Sequence, residues 1–271
     1  MGQLFQYTFF TNAITGILFI SIAAGIIGTY IVTRRLVSIA GGITHACFGG
    51  LGLGYFLGWN PVLTAGVFAV ASSMGVEWLG RQYRVREDSA IAVMWALGMA
   101  LGVLFVFLTP GYVPELNAFL FGNILTITGS DIVAFAVYTI MLLIFITARF
   151  RQITLCAFDR DFASVSGLPV KLINCTMTVF IAIGIVLTIR LVGIMLLMAM
   201  LTLPQMTAEN FCHRLRPMIV ASAVVSAATA LSGLMLATVI DVPCSAIIVL
   251  LQIAVYACSW GISAASKRIA Q

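Results

Sequence analysis

Long apolar segments separated by short polar connections run through the whole chain. A helix that crosses the hydrocarbon core of a bilayer needs roughly 20 apolar residues. Nine segments meet this requirement, and they cover residues 9–32, 36–57, 61–79, 89–109, 130–148, 170–189, 191–208, 218–239 and 243–263. The pattern predicts an all-α, polytopic helical integral membrane protein that forms a single transmembrane domain over residues 1–271. Nine transmembrane helices are expected, or eight if the two segments that meet at Arg190 form one bent element.

The basic residues are sorted by position along this pattern. When the connections between segments are assigned alternately to the two sides of a membrane, every basic residue except Arg190 falls on the same side. These residues are Arg34, Arg35, Arg81, Arg84, Arg86, Arg149, Arg151, Arg160, Lys171, Arg214, Arg216, Lys267 and Arg268. An excess of Lys and Arg marks the cytoplasmic side of a multispanning protein. We therefore predict an external N-terminus and a cytoplasmic C-terminus.

Composition excludes several classes of protein. The chain is 62% hydrophobic and 8% charged, with a mean hydropathy of +1.12, whereas soluble domains carry about a quarter charged residues. The net charge of +5 comes from residues at segment ends and not from one basic patch, so nucleic acid is not an expected partner. The six cysteines include no CxxC pair and fit buried apolar positions.

The predicted cytoplasmic loop 149–169 contains the signals of a short helix of about two turns. Asp159 and Asp161 fit its start, and Gly167 followed by Pro169 fits its end. Its apolar face consists of Phe162, Ala163 and Val165. Two interpretations are equally open: a helix that lies on lipid headgroups, and a helix that docks in a groove of a partner protein.

His45 is the ionisable residue placed deepest in the predicted membrane region. It lies in the middle of segment 36–57, among glycines that allow close approach of neighbouring helices. A polar group at this depth usually faces the bundle interior or a water-filled pathway, and imidazole is a common ligand of transition metals. The alternative is a purely structural histidine, hydrogen-bonded to a neighbouring helix.

ATP hydrolysis is not expected from this chain, because neither of its lysines, Lys171 and Lys267, belongs to a phosphate-binding loop. No HExxH motif is present either. Residues 117–128 are too short to span and are expected to form a re-entrant or interfacial piece. If ATP drives transport here, another subunit must supply the ATPase.

Four stretches resemble, in order and spacing, the zinc/manganese/iron family of ABC-transporter permeases. The first has Arg34-Arg35 ten residues before His45-Ala46, followed by a glycine-rich run to Gly58. The other three are residues 115–123 (ELNAFLFGN), residues 161–169 (DFASVSGLP), and Val192-Gly193 with the later Pro204-Gln205-Met206-Thr207-Ala208. The resemblance runs over nearly the whole chain.

The resemblance implies a transport subunit that is not itself an enzyme. It implies two cytoplasmic ABC ATPase subunits, an external metal-binding protein and a second permease copy, in a bacterial plasma membrane. The short cytoplasmic helix becomes the element that couples to the ATPase, through Asp161, Phe162, Ala163 and Gly167. This chain is expected to bind no cofactor of its own, and its transported substrate is expected to be a divalent metal ion.

The same resemblance directs attention to an ion path. We expect entry near Glu115 and passage by His45, with the carbonyl oxygen of Asn123 as a neutral ligand. The family usually has acids where this chain has Gly41 and Asn123, so the predicted site is less anionic than usual.

The leading prediction is therefore the permease of an ATP-driven importer for zinc, manganese or iron. A permease for an iron chelate or a corrinoid is a related alternative. An ion-gradient-driven secondary transporter belongs to a different class, and it would be expected to show an internal repeat with paired charged sites. A membrane enzyme is disfavoured because no nucleophile and base are paired at matching depth.

Overall fold

The computed structural model describes residues 7–82, 86–110, 122, 124 and 127–269, and in these ranges it contains ten α-helices and no strand. The helices are α1 (Thr8–Thr33), α2 (Val37–Leu57), α3 (Pro61–Gln82), α4 (Glu87–Leu108), α5 (Gly129–Phe158), α6 (Arg160–Val165), α7 (Val170–Met200), α8 (Leu203–Glu209), α9 (Leu215–Ile240) and α10 (Cys244–Ile269). The predicted all-α class is confirmed.

Most predicted spans match the helices closely. Among the described residues, seven segments are long and apolar enough to cross a membrane, and Pro61–Val76 is a shorter eighth. One of the seven, Val170–Glu209, has 40 residues, which at 1.5 Å per residue is about twice the thickness of a bilayer core. Gly193 interrupts its helical geometry with φ 76° and ψ 171°. Two crossings by this segment would give the predicted total of nine.

The predicted loop 149–169 needs a correction at its start. We expected the span to end at residue 148, but α5 continues to Phe158, with non-helical angles at Arg149 (φ −114°, ψ 17°). Ile153 and Cys156 are buried, and their spacing of three residues places them on one face of the helix. The apolar stripe therefore continues past the charged residues, which alone suggested a loop.

The pattern of contacts between backbone positions divides the chain into two compact units. One contains residues 1–34, 121–148 and 191–271 and is called the α1–α9 unit here. The other contains residues 35–120 and 149–190 and is called the α2–α4 unit. Each is described separately.

Small residues hold the α1–α9 unit together. A methyl group on Gly25 would lie 2.7 Å from the Cβ atom of Ala223, so α1 and α9 touch almost backbone to backbone. Thr29 and Ser222 pair through their hydroxyl groups across the same interface at 3.2 Å. The amide of Gln205 donates to the Ala24 carbonyl at 2.8 Å and ties α8 to α1. Close approach with interhelical hydrogen bonds is the usual way in which helices associate in membranes.

In the α2–α4 unit, α2 packs against both α3 and α4. Glycines of α2 make these contacts possible. A methyl group on Gly50 would lie 2.6 Å from the Thr64 carbonyl oxygen of α3, and one on Gly52 would lie 2.6 Å from the Gly102 carbonyl oxygen of α4. The glycine-rich sequence of α2 is therefore explained by two close neighbours on different sides.

Candidate functional site

His45 lies in the middle of α2, and its side chain is partly exposed. The neighbouring Thr44 is buried and donates its hydroxyl proton to the Ala40 carbonyl at 2.6 Å. Ala46, on the other side, is buried against α4, where a methyl group on Gly98 would lie 2.8 Å from the Ala46 carbonyl oxygen. His45 thus has a partly exposed polar side chain between two buried neighbours in α2.

The imidazole of His45 stacks on the indole of Trp95 in α4. The ring centroids are 4.2 Å apart, and the two planes are inclined by only 3°. No hydrogen bond joins the imidazole to another residue in the part of the chain that the structure describes. The contact that the structure describes for this imidazole is therefore an aromatic stack with Trp95.

The other two predicted metal ligands, Glu115 and Asn123, lie outside the described residues. Gly122, beside Asn123, is described and has φ 59°. A methyl group on Gly122 would lie 2.7 Å from the Val192 carbonyl oxygen, within the α1–α9 unit. Two of the stretches that carry the family resemblance therefore meet backbone to backbone, next to the interruption of α7 at Gly193.

The predicted short helix is present as α6, and the predicted cap is confirmed. The Asp159 carboxylate accepts a hydrogen bond from the Phe162 amide at 2.8 Å, and Asp161 lies in the first helical turn. Gly167 follows the helix with φ 74°, a conformation that favours glycine. Asx capping at the start and a left-handed glycine after the end limit α6 to six residues.

The side chains of α6 differ in exposure. Phe162 is 57% exposed and Val165 is 89% exposed, whereas Ala163 is completely buried. Residues three apart share a face of a helix, so Phe162 and Val165 form one uncovered apolar surface, which we call the α6 face. Ala163 instead anchors α6 to its own chain.

Metal-ligating side chains are sparse. Within the described ranges, no three His, Cys, Asp or Glu side chains lie close enough together to hold a metal ion. The sequence did not predict the stack between His45 and Trp95, because this contact depends on how α2 and α4 pack. The glycines of α2 signalled a close neighbour without identifying it.

Comparisons with known proteins agree with this fold. Residues 6–262 match the model of the ABC 3 transport family. The chain belongs to this family. It is a multi-pass, non-enzymatic permease subunit, and ATP hydrolysis is the task of a separate subunit.

Two relatives and one solved structure illustrate the similarity of this ABC 3 permease. A membrane protein of Synechocystis sp. is 37% identical over 211 residues, which cover 78% of this chain and 75% of the relative. The manganese transport system membrane protein MntC of Halalkalibacterium halodurans is 28% identical over 255 residues, covering 94% and 87%. PsaBC from Streptococcus pneumoniae, solved in complex with Fab, has a TM-score of 0.85 and 26% identity, covering 95% and 92%.

Proposed function

We propose that this ABC 3 permease carries a divalent transition metal ion into the cell, driven by ATP, with manganese, zinc and iron as the candidate ions. The supporting observation is His45, a partly exposed imidazole in the middle of a span, stacked through one face and without a hydrogen bond to the other described residues. Neutral imidazole is a common metal ligand. The manganese transport protein among the relatives favours manganese as the first ion to test.

The proposal includes an orientation. The N-terminus is external and the C-terminus cytoplasmic, in a bacterial plasma membrane, because this arrangement places all basic residues except Arg190 on the cytoplasmic side. It also places α6 on the cytoplasmic side, where an ATPase subunit would be reached. Glu115 then lies on the external side, at the proposed entry of the ion.

The α6 face is the proposed contact with the ATPase. Phe162 and Val165 lie uncovered beside a helix start that Asp159 fixes. Exposed aromatic and aliphatic side chains on a short, capped helix suit insertion into a groove of a partner. We propose that two such permeases assemble with two ATPase subunits, and that an external metal-binding protein delivers the ion.

His45→Ala should reduce metal uptake by the reconstituted complex. Loss of the imidazole should raise the half-saturating metal concentration at least about tenfold, which corresponds to about 1.4 kcal/mol. ATPase activity in the absence of metal should persist, because α2 is not part of the proposed ATPase contact. Uptake of manganese, zinc and ferrous iron should be measured in parallel.

His45→Asn serves as the matched variant. It retains a hydrogen-bonding side chain and removes the imidazole, so it should be as defective as His45→Ala. Wild-type uptake by His45→Asn, combined with loss of stability in His45→Ala, would assign His45 a structural role. Uptake of a metal chelate but not of the free ion would indicate the chelate-carrying alternative.

A further inference from the structure

Trp95 contributes an aromatic face to the only histidine in the described spans. It lies on α4, 43% of its surface is exposed, and its indole lies parallel to the imidazole of His45 at 4.2 Å. Parallel, closely spaced rings restrict each other's rotation, because turning either ring would bring its edge into the other's face. The plane of the His45 ring is therefore defined by a residue 50 positions later in the chain.

Backbone packing fixes this pair of rings. On α4, Gly98 follows Trp95 by three residues, and a methyl group there would lie 2.8 Å from the carbonyl oxygen of Ala46, the residue after His45. A methyl group on Gly49 would in turn lie 2.8 Å from the Gly98 carbonyl oxygen. Helices this close have little freedom to rotate against each other. The stack is thus set by the α2–α4 contact.

The stack has a consequence for metal binding. Neutral imidazole binds a metal through the in-plane lone pair of its unprotonated nitrogen, so a partner on the ring face leaves this nitrogen uncovered at the ring edge. Histidine ligands are usually oriented by a hydrogen bond from the second nitrogen to a carboxylate or carbonyl. His45 makes no such bond to any described residue, and its ring instead contacts the face of Trp95.

We propose that Trp95 is a positioning residue for metal transport, which holds the imidazole plane of His45 so that one ring nitrogen meets the passing ion. The proposal rests on the proposed function, in which His45 is the ligand. A fixed ring binds with less loss of rotational freedom than a free one. Trp95 thereby partly offsets the scarcity of other ligands around His45.

The test compares three substitutions at Trp95 in the reconstituted complex. Trp95→Phe retains a flat ring and should keep the half-saturating manganese concentration within about threefold of wild type. Trp95→Leu and Trp95→Met retain bulk without a ring and should raise it at least about tenfold, with the maximal uptake rate much less affected. Trp260→Leu removes an exposed tryptophan of the α1–α9 unit and should change neither value.

Tryptophan fluorescence provides a second readout that does not depend on transport. In a variant with Trp59, Trp78 and Trp260 replaced by Phe, paramagnetic manganese should quench the fluorescence of Trp95. Half-maximal quenching should occur near the manganese concentration that half-saturates uptake. His45→Ala in this background should abolish the quenching.

The outcomes distinguish the positioning role of Trp95 from the proposed function, in which His45 is the ligand. Normal half-saturation in both Trp95→Leu and Trp95→Met, with defective His45→Ala, would overturn the positioning role and leave the proposed function intact. Normal uptake by His45→Ala would overturn the proposed function itself. If Leu and Met both fail to accumulate, absence of saturable Trp95 quenching by manganese would overturn the positioning role.

Discussion

Gly98→Ala is expected to force α2 and α4 apart and to destabilise the α2–α4 unit. The added methyl group would collide with the backbone of Ala46, including its carbonyl oxygen at 2.8 Å. A rotamer change cannot relieve a clash with backbone, so a helix must move. Overpacking of this kind typically costs about 1–3 kcal/mol. Metal uptake should fall as well, because Ala46 follows His45 directly and Gly98 lies one helical turn after Trp95.

The measurement uses a buried cysteine of α2. Cys47 is buried in α2 and Cys258 is exposed in α10, so faster alkylation of Cys47 reports loosened packing around α2, while Cys258 gives the reference rate. Gly66→Ala is the control, since a methyl group there would meet no atom within 4 Å and a helical alanine is about 1 kcal/mol more favourable than glycine. Equal Cys47 alkylation in Gly98→Ala and wild type would contradict the packing described.

Phe162→Asp should uncouple the permease from its ATPase. Phe162 is 57% exposed on the α6 face, and a carboxylate there would be desolvated in a partly apolar interface without a counter-charge. Central aromatic residues of interfaces contribute at least about 2 kcal/mol, so affinity should fall roughly 30-fold. Copurification of the ATPase with the solubilised permease measures this directly.

Ser164→Asp is the matched control on the same helix. Ser164 is exposed, so the substitution adds the same charge without removing the apolar surface of Phe162. It should retain ATPase binding and uptake. Ala163→Asp is a poorer test, because Ala163 is completely buried within its own chain and the charge would destabilise α6. Full uptake by Phe162→Asp with a stably bound ATPase would exclude the α6 face as the contact.

The transmembrane helices were largely predictable because a helix that crosses the bilayer core needs a long, mainly apolar sequence. The predominantly apolar segment of 24 residues at 9–32 became α1 at Thr8–Thr33, since every backbone group in lipid must be paired within a helix. The helix of residues 149–158 was missed, because Arg149, Arg151 and Gln152 resemble a polar connection. Burial of Ile153 depends on neighbours that sequence alone does not specify.

Local chemistry was also predictable where it depends on adjacent residues. Asp159 caps α6 as expected, because a carboxylate three residues before an amide reaches it within one turn. The exposed side of α6 was harder to predict, since six residues are too few to show which side of a helix is buried. Ala163 and Phe162 were grouped together in the sequence, and the structure separates them.

The candidate site was also predictable from the sequence only in part. His45 was identified because a lone imidazole in an apolar segment is rare. Trp95 was not, because one tryptophan among many apolar residues in segment 89–109 has no local signal of a stacking partner. The stack depends on Gly98 meeting Ala46, which is a property of two helices and not of either sequence alone.

Uptake into proteoliposomes tests most directly whether this permease conducts a transition metal under the control of an ATPase. The permease and its ATPase are reconstituted with ATP trapped in the lumen, and radioactive manganese, zinc or iron is added outside with the metal-binding protein. Uptake should require ATP and the ATPase, should persist when ionophores remove every ion gradient, and should be lost in His45→Ala. Uptake that follows an ion gradient and needs neither ATP nor the ATPase would contradict this function.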